Sequence, residues 1–425
     1  MELPRSRADI RRIQSERKRI AVEQARRSKF WQKRLPNDLD PAKLDDPEEW
    51  RRIPILDKDT LRGLSDAQFY DEFCIGDHDG ICEFWRSGGV TGQPLFYPRS
   101  FRDMEVALES FARTYDCAGA RRGDRAHISF PMGIHPVGQV FARCAASRGI
   151  TVNWAGAGAS TPSALQIELI QRLKPTLWLG MSSYALHLAN LAEAKGAELR
   201  LERIMTSAEP VSKAKRDKIE RSFGAKLTDT FGMTECGMMG AEDVPGEGFR
   251  IWTDFYFIEV LDPKSLEPVK EGEVGTLVVT SLFTNNVTPF LRWSSGDLVS
   301  LSQADEGSES KGRFSVFPRL KHAHRTSGFF KVRGVNLGHQ DLEDFLFRYA
   351  EVGDFRAEAV NEGDNDLLRL CMELRRGVDA AFIARLEKEF RNRFELVPRV
   401  VVLETGTLAK EFEANIKASR FVDRR

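Results

Sequence analysis

The stretch of sequence that most directly suggests ligand chemistry is FWRSGGVTGQP, residues 84–94. It places three glycines within five residues and adds the hydroxyl groups of Ser87 and Thr91. Ordering glycines costs conformational entropy, which a structural or binding role must offset. Backbone N–H groups and hydroxyls in such a loop can surround phosphate oxygens, although a plain turn has the same composition. Gly92 is followed by Gln-Pro instead of Lys-Ser/Thr, which excludes a Walker A loop, and the glycine spacing excludes a protein-kinase loop.

Three other groups of residues could carry chemistry, but their patterns are less specific. Residues 153–161, NWAGAGAST, begin a dinucleotide-binding G-x-G-x-x-G and then place Thr161 where the third glycine should be. His322 and His324 lack Cys or carboxylate partners at metal-ligand spacing, so we expect surface histidines. The six cysteines contain no CxxC pair, and their scatter predicts reduced thiols instead of a disulfide framework.

The composition predicts a soluble globular protein. Lys+Arg and Asp+Glu are equal at 63 each, which argues against a dedicated nucleic-acid or membrane-surface protein. No apolar run is long enough to span a membrane, and the N-terminus lacks the apolar region of a secretory signal. Residues 1–34 predict a solvated amphipathic helix whose inward face carries Ile13, Ile20, Phe30 and Trp31. We therefore expect a cytoplasmic monomer or homodimer with no nucleic-acid or membrane partner.

Helices and strands alternate along the middle of the chain. Apolar spacing predicts helices over about 100–118, 137–147, 162–173, 183–195 and 211–223, separated by short strands such as RAHISF and PTLWLG. This alternation implies βαβ units and a largely parallel sheet. After about residue 250 strands follow one another without helices, which predicts a β subdomain, and the chain beyond 328 predicts a compact α+β unit. The predicted fold class is α/β, with an N-terminal domain at 1–326 and a C-terminal domain at 327–425.

Several short motifs follow the glycine-rich segment in a fixed order. They are SAEPV (207–211), DTFGMTE (229–235), PFLRWSSGD (289–297), HRTSGFFKVRGVN (324–336) and NIKASRFVDRR (415–425). Together they resemble the core motifs of the adenylate-forming enzymes, which include acyl-CoA synthetases, luciferases and nonribosomal adenylation domains. IPILDKDTLRG (53–63) and the run from Leu173 to Gly196 resemble the phenylacetate–CoA ligase branch in particular. The resemblance covers nearly the whole chain and implies a large N-terminal domain followed by a small mobile C-terminal domain.

The resemblance implies phosphate contacts at the glycine-rich segment. The residues expected to grip the β- and γ-phosphates of ATP are Ser87, Gly89, Thr91 and Gly92. The usual family form has a threonine where this chain has Val90 and a lysine where it has Gln93. Two phosphate donors are therefore replaced, which predicts weaker contact with pyrophosphate or slower adenylation.

Further motifs imply the adenine, α-phosphate and magnesium contacts. The residues implied around adenine are Ala208, Glu209, Pro210, Asp229, Thr230 and Phe231. Phe231 stands where tyrosine is usual, so it keeps a stacking face and loses a hydroxyl. The Thr234 hydroxyl would meet the α-phosphate, and the Glu235 carboxylate would hold Mg²⁺, which suits one carboxylate with phosphate oxygens and water. Outside this context a Thr-Glu pair is a common helix cap.

The later motifs imply ribose contacts and the C-terminal machinery. Asp297 would accept the ribose hydroxyls, with Arg292 in the same motif and Arg325 near the ribose and phosphate; Ser294 replaces an arginine of the branch. Ser327 and Gly328 would form the hinge, since Ser327 stands at the usual Asp position. The loop expected to swing in for the thiol reaction carries Arg333 and Gly334. Lys417 would stabilise charge developing at the α-phosphate, with Lys410 as its rival.

The acyl pocket is implied less directly. FPMGIHPVG (130–138) aligns with a stretch that lines this pocket in the family. The candidate lining residues are Met132, Ile134, His135 and Trp154. Apolar residues at strand ends are more often core than pocket, and a histidine there can equally be a satisfied core group.

The resemblance implies an ATP-dependent carboxylate ligase that uses ATP, Mg²⁺ and coenzyme A. The expected reaction forms acyl-AMP from a compact, aromatic or cyclic carboxylic acid and then transfers the acyl group to coenzyme A. Two alternatives stay open. One is an adenylating enzyme that uses an amine or a carrier-protein thiol as acceptor, and the other is a nucleotide-binding homologue with weak catalysis.

Overall fold

The computed structural model describes residues 2–76, 78–86, 95–303, 312–325, 329–362, 365–375, 377–414 and 420–425. Seven of the predicted site residues lie outside this part of the chain. They are Ser87, Gly89, Thr91 and Gly92 of the glycine-rich segment, Ser327 and Gly328 of the hinge, and Lys417.

The described helices are numbered α1 to α12 in chain order. They are α1 Arg7–Ala25, α2 Lys29–Gln32, α3 Pro47–Arg51, α4 Lys58–Arg62, α5 Phe101–Cys117, α6 Pro136–Ser147, α7 Ser163–Leu173, α8 Ser182–Ala194, α9 Lys213–Phe223, α10 His339–Phe347, α11 Ala380–Phe394 and α12 Thr407–Ala414. The helices predicted between residues 100 and 223 agree with α5 to α9 to within two residues at each end.

The described strands are numbered β1 to β20. They are β1 Leu56–Asp57, β2 Ile81–Arg86, β3 Phe96–Ser100, β4 Arg125–Ile128, β5 Thr151–Asn153, β6 Leu177–Gly180, β7 Arg203–Thr206, β8 Lys226–Met233, β9 Gly237–Ala241, β10 Phe249–Ile251, β11 Tyr256–Leu261, β12 Val274–Ser281, β13 Trp293–Ser302, β14 Arg319–Arg325, β15 Phe329–Val332, β16 Val335–Gly338, β17 Val352–Glu362, β18 Asn365–Leu374, β19 Arg399–Leu403 and β20 Phe421–Asp423.

The chain forms two compact units, and the first consists of Met1–Gly123, Gly133–Ile150 and Thr228–Arg325. Its strands run in the order β11-β12-β13-β14-β10-β9-β8 through antiparallel pairs, and β1 joins β13 in parallel. Strands β11, β12 and β13 form the β subdomain predicted after about residue 250, and β8, β9 and β10 extend the same sheet from earlier in the chain. The N-terminal helix is also present, and Phe30 and Trp31 just beyond it are buried, with the Trp31 indole donating to the Pro289 carbonyl at 2.8 Å.

The second unit consists of Asp124–Met132, Thr151–Leu227 and Thr326–Arg425. Strands β5, β4, β6 and β7 pair side by side in parallel, as the alternation of strands and helices predicts. The C-terminal stretch has its own sheet in the order β19-β18-β17-β20. One apolar cluster contains Trp178 and Phe223 from the middle of the chain together with Leu342 and Phe355 from its C-terminal part. The division at 326/327 and the mobility of the C-terminal domain stay predictions.

Candidate active site

The glycine-rich segment connects two strands that the sequence did not predict. β2 and β3 pair antiparallel, and Arg86 lies opposite Phe96 at the end next to the segment. Ser100 ends β3 and caps α5 through a reciprocal capping box with Asp103, which fixes the strand to the helix that follows it. Arg86 Nη1 lies 3.4 Å from His135 Nε2, so the start of the segment contacts a predicted acyl-pocket residue.

Thr234 and Glu235 lie in the tight turn between β8 and β9. Two glycines make this turn possible. A Cβ on Gly232 would come within 2.6 Å of the Gly237 carbonyl oxygen, and Gly237 has a φ of +102°, which other residues rarely adopt. The strand pair also changes register between Phe231 and Gly232. The sequence GMTECG therefore presents Thr-Glu at the tip of a hairpin and not as a helix cap.

Arg99 fastens this turn to β3. Its Nη2 donates to the carbonyl oxygens of Thr234 and Glu235, each at 2.6 Å, and its Nη1 donates to Thr288 Oγ1 at 2.8 Å. The residue is only 1% exposed, and its guanidinium lies 4.9 Å from the centre of the Trp85 ring. A buried cation that donates to two consecutive carbonyls holds the turn in one position relative to the hairpin.

Tyr97 acts on the side chain of the same turn. Its hydroxyl donates to Glu235 Oε1 at 3.3 Å. Burial, with the neighbouring Glu235 carboxylate, raises the pKa of Tyr97 well above its ordinary value, so the phenol stays protonated and remains a donor. Tyr97 and Arg99 lie two positions apart on β3, and together they orient the carboxylate and the backbone of Glu235.

The Glu235 carboxylate suits a magnesium ion that takes most of its ligands from substrate. Glu235 is 8% exposed, and one of its oxygens is oriented by Tyr97. Within the described ranges no group of three or more His, Cys, Asp or Glu side chains could hold a metal ion. Mg²⁺ is commonly held by one or two carboxylates together with phosphate oxygens and water. The donor set at this turn therefore fits Mg²⁺ bound with a nucleotide.

Asp297 lies inside β13 and is 3% exposed. Ser295 Oγ donates to its Oδ2 at 2.5 Å, and His322 Nε2 on the neighbouring strand β14 lies 3.2 Å from its Oδ1. The prediction that His322 is a surface residue is wrong, because the pairing of β13 with β14 turns its ring towards Asp297 and leaves 15% of the side chain exposed. Arg325, at the end of β14, is the register partner of Asp297.

Phe231 lies close to the same group. Its ring stacks on Phe249 with centroids 5.4 Å apart, and it lies 6.1 Å from the His322 ring. His322 thus links the residue predicted to flank adenine with the residue predicted to bind ribose. Asp229 and Thr230, earlier on β8, are both buried, and the Asp229 amide donates to Glu242.

Arg292 makes buried contacts within the first unit. Its guanidinium pairs with Glu259 at 3.0 Å and donates to the carbonyl oxygens of Arg51 and Ile53 at 3.1 and 2.7 Å. Its backbone has a φ of +42°, and its amide donates to Thr280 Oγ1. Because the residue is only 3% exposed, this arrangement gives it a structural part in the β subdomain, and its nucleotide contact stays a prediction.

The predicted adenine turn of the second unit follows β7. Ala208 has a φ of +75°, a left-handed conformation that a non-glycine residue rarely adopts and that its surroundings must hold. The Glu209 carboxylate accepts hydrogen bonds from the amide of Ser183, at 2.8 Å, and from its hydroxyl. The carbonyl oxygen of Pro210 accepts from Lys215 Nζ at 3.3 Å. The turn is therefore held from α8 and from α9.

The acyl-pocket candidates belong to both units: Met132 and Trp154 to the second, and Ile134 and His135 to the first. In the second unit, Trp154 is 55% exposed, and Met132 lies next to Gly156, where an added Cβ would be 3.5 Å from the Met132 Cγ. In the first unit, Ile134 is 58% exposed and His135 is the N-cap residue of α6. Exposed Ile and Trp side chains are not core residues, which removes the simplest alternative to a binding role for these two.

The C-terminal candidates are partly described. Arg333 and Gly334 form the turn between β15 and β16 with φ values of +50° and +83°, and Arg333 Nε donates to the Asp366 carbonyl at 2.9 Å. Lys410, the rival of Lys417, is an exposed residue of α12. In the part of the chain that the structure describes, no helix is long and apolar enough to cross a membrane.

Comparison with known proteins identifies similar chains. The family profile described as "AMP-binding enzyme" matches residues 55–285. A phenylacetate–coenzyme A ligase of Thermus thermophilus is 31% identical over 381 residues, which cover 88% of this chain and 82% of the relative. A solved 2-hydroxyisobutyryl-CoA ligase, in its postadenylation state with R3-HIB-AMP, superposes with a TM-score of 0.84 at 23% identity over 98% of this chain and 89% of that one. The same ligase in its thioesterification state, with 2-HIB-AMP and CoA, gives 0.69 at 24% identity over 99% and 90%.

Proposed function

Because this chain belongs to the AMP-binding, adenylate-forming family and is acyl-CoA ligase-like, we propose that it is an ATP-dependent carboxylate–CoA ligase. It converts a compact, aromatic or cyclic carboxylic acid to acyl-AMP and then to acyl-CoA. The observation that carries this proposal is the attachment of the Thr234–Glu235 turn to β3 by Tyr97 and Arg99. This attachment ties the proposed metal and α-phosphate groups to the hairpin that carries the proposed phosphate loop.

In the first half-reaction a carboxylate oxygen attacks the α-phosphorus of ATP, the new P–O bond forms, and the bond to pyrophosphate breaks. Such an in-line displacement depends on positioning and on neutralising charge more than on covalent help from the protein. Asp297 holds the ribose, Phe231 flanks adenine, and the Thr234 hydroxyl donates to the α-phosphate. Glu235 would hold Mg²⁺, which would supply positive charge to the phosphate oxygens. Lys417 stabilises the charge that develops between the two reactants.

In the second half-reaction the thiol sulfur of coenzyme A attacks the acyl carbonyl carbon, the thiol gives up its proton, and AMP leaves. We propose that the C-terminal domain turns about Ser327 and Gly328 for this step and brings Arg333 and Gly334 to the site. Both turn residues have a positive φ, which is typical of a tight turn of fixed shape.

The acid class rests on the candidate pocket and on the relatives. Met132, Ile134 and Trp154 are the apolar candidates for this pocket, and His135, which lies 3.4 Å from Arg86, is the polar candidate. Trp154 and Ile134 are each more than half exposed, and an aromatic or cyclic acyl group that covered either side chain would gain by burying apolar surface. The similarity to a phenylacetate–CoA ligase supports an arylacetic or related acid.

The acceptor is tested by measuring AMP release from ATP in the presence of a competent acid, with and without coenzyme A. The proposal expects AMP release to require coenzyme A and to match acyl-CoA formation. Release that requires an amine or a carrier protein instead would identify the other kind of adenylating enzyme. Lys417→Ala should abolish acid-dependent pyrophosphate release, whereas Lys410→Ala, which changes an exposed lysine of α12, should leave it intact.

A weakly catalytic nucleotide-binding homologue is the other possibility to test. It is motivated by four departures from the usual family pattern, at Val90, Gln93, Ser294 and Ser327; the first two replace a phosphate-binding threonine and lysine. If these replacements limit the rate, Gln93→Lys should increase acid-dependent pyrophosphate release. A wild-type protein that binds ATP and releases no pyrophosphate with any acid, while Gln93→Lys also stays inactive, would favour the homologue.

A further inference from the structure

A buried lysine of the second unit connects the predicted adenine turn with the C-terminal part of the chain. Lys215, on α9, is 1% exposed. Its Nζ lies 3.1 Å from Glu343 Oε1 on α10, and the same Nζ donates to Ser182 Oγ at 3.2 Å and to the Pro210 carbonyl oxygen at 3.3 Å. One ammonium group therefore contacts the first residue of α8, the turn at 207–210 and a helix of the C-terminal stretch.

More buried charges surround this contact. Lys218, one turn further along α9, donates to the carbonyl oxygens of Val352 at 3.1 Å and of Gly353. Burial lowers the pKa of Lys218 to about 8. Arg420 donates to both oxygens of Asp354, at 2.9 and 3.1 Å, and both residues are buried. Helix α9 thus meets the C-terminal stretch through charged groups as well as through the apolar cluster.

Ion pairs join the two sides of this contact. Lys215 of the middle segment pairs with Glu343 of α10, and Glu193 of α8 pairs with Arg375 at 2.8 Å. Removing one partner from such a group strands a buried charge and is costly, whereas separating both sides lets water solvate every group. A contact of this kind can be broken and remade at a small net cost.

We propose that Lys215 is a positioning residue that couples the docking of α10 to the conformation of the nucleotide-binding turn at 207–210. This inference rests on the proposed function, in which the turn binds adenine and the C-terminal domain moves between half-reactions. While α10 is docked, Glu343 neutralises Lys215, and the ammonium can stay buried and donate to Pro210. When α10 leaves, the ammonium loses its counter-ion and turns to water, so the turn loses one of its two anchors.

The second anchor explains why the effect is graded. Glu209 stays fixed to Ser183 of α8 whether or not α10 is docked, because both residues belong to the middle segment. Ala208, next to Glu209, has a left-handed conformation that the surrounding structure must hold. Nucleotide affinity should therefore be reduced but not abolished when α10 is undocked. By linkage, a bound nucleotide must favour docking by the same factor.

The test is amide hydrogen exchange of residues 339–347 in the full-length protein, with AMP as the probe at saturating concentration. In the wild-type protein AMP should slow exchange across α10 several-fold. Lys215→Met fills the same space without charge, and we expect it to remove the effect of AMP on α10 and to weaken AMP binding about tenfold, which corresponds to about 1.4 kcal/mol. Lys213→Met is the control, because Lys213 is exposed on the same helix and pairs only with Asp217 among the contacts described; it should behave as wild type.

If Lys215→Met is too unstable to purify, the same exchange measurement is made on Glu343→Gln, which changes the other residue of the ion pair. Glutamine keeps a hydrogen bond to Lys215 and removes the counter-charge, so the effect of AMP on α10 should shrink without vanishing. A purely structural ion pair would lower thermal stability in these variants and leave the AMP-dependent slowing unchanged, which would overturn the coupling alone. A wild-type protein that binds no AMP or ATP in calorimetry would overturn the proposed function and the coupling with it.

Discussion

Replacing Asp297 by Asn tests the proposed ribose contact with the smallest change of shape. The side chain is 3% exposed and accepts a hydrogen bond from Ser295 Oγ at 2.5 Å, with His322 Nε2 at 3.2 Å on its other oxygen. Asn removes the charge and turns one acceptor into a donor, so one ribose hydroxyl would face an N–H group. A hydrogen bond to a charged group contributes about 1.5–3 kcal/mol, which predicts ATP binding roughly 10- to 150-fold weaker.

The assay is calorimetric titration of wild type and Asp297→Asn with ATP, 2′-deoxy-ATP and 3′-deoxy-ATP. The wild-type protein should discriminate against both deoxy nucleotides, and the variant should lose most of the discrimination against at least one of them. Ser295→Ala keeps the carboxylate but removes its hydrogen-bonding neighbour, so it should fall between the two. The reasoning is refuted if Asp297→Asn, folded as judged by thermal unfolding, binds ATP like wild type or discriminates between the nucleotides as strongly.

Three further predictions follow from buried side chains. Tyr97→Phe removes the hydroxyl that orients the proposed metal-binding carboxylate, so the Mg²⁺ concentration for half-maximal pyrophosphate release should rise several-fold. Tyr115→Phe is the control: it removes a hydroxyl that donates to a backbone carbonyl at 2.8 Å, and it should lower thermal stability alone. Arg99→Lys keeps the charge but loses the guanidinium group that donates to three acceptors, so the rate of pyrophosphate release should fall by about tenfold or more. Activity near that of the wild type would contradict the role given to the guanidinium group. Burial lowers the pKa of His127 and of His339 from 6.5 to about 4. Between pH 6.5 and 4 only the unfolded chain binds these protons, so the free energy of unfolding should fall over this range by up to about 3 kcal/mol for each histidine. In denaturant titrations His339→Phe should make this dependence on pH less steep.

The alternating part of the fold was predictable because its signals are local. The apolar spacing of α5 and the capping box of Ser100 with Asp103 both lie within the helix and its first turn. The hairpin of β2 and β3 was missed because ICEFWR shows no alternation, and five of its six residues are partly exposed or fully exposed. The sequence Ser-Ser-Gly at 294–296 suggests a turn, but strand β13 already starts at Trp293. The strand continues through this stretch with Gly296 at a φ of +78°.

In the candidate site, too, residues within short motifs could be predicted from the sequence, whereas their contacts with distant residues could not. Thr234, Glu235 and Asp297 could be named because their motifs are contiguous in the sequence. Their partners could not, since Arg99 lies 135 residues before Thr234 and His322 lies 25 residues after Asp297. Those contacts depend on strand register, which a single sequence does not specify.

The central claim is that this protein activates a carboxylic acid as its adenylate, and the exchange of labelled pyrophosphate into ATP tests it most directly. The account predicts no exchange without an acid, and exchange with at least one arylacetic or related cyclic acid in the absence of coenzyme A, because acyl-AMP formation is reversible. Exchange that needs no acid, or no exchange with any acid although the protein binds ATP, would contradict it.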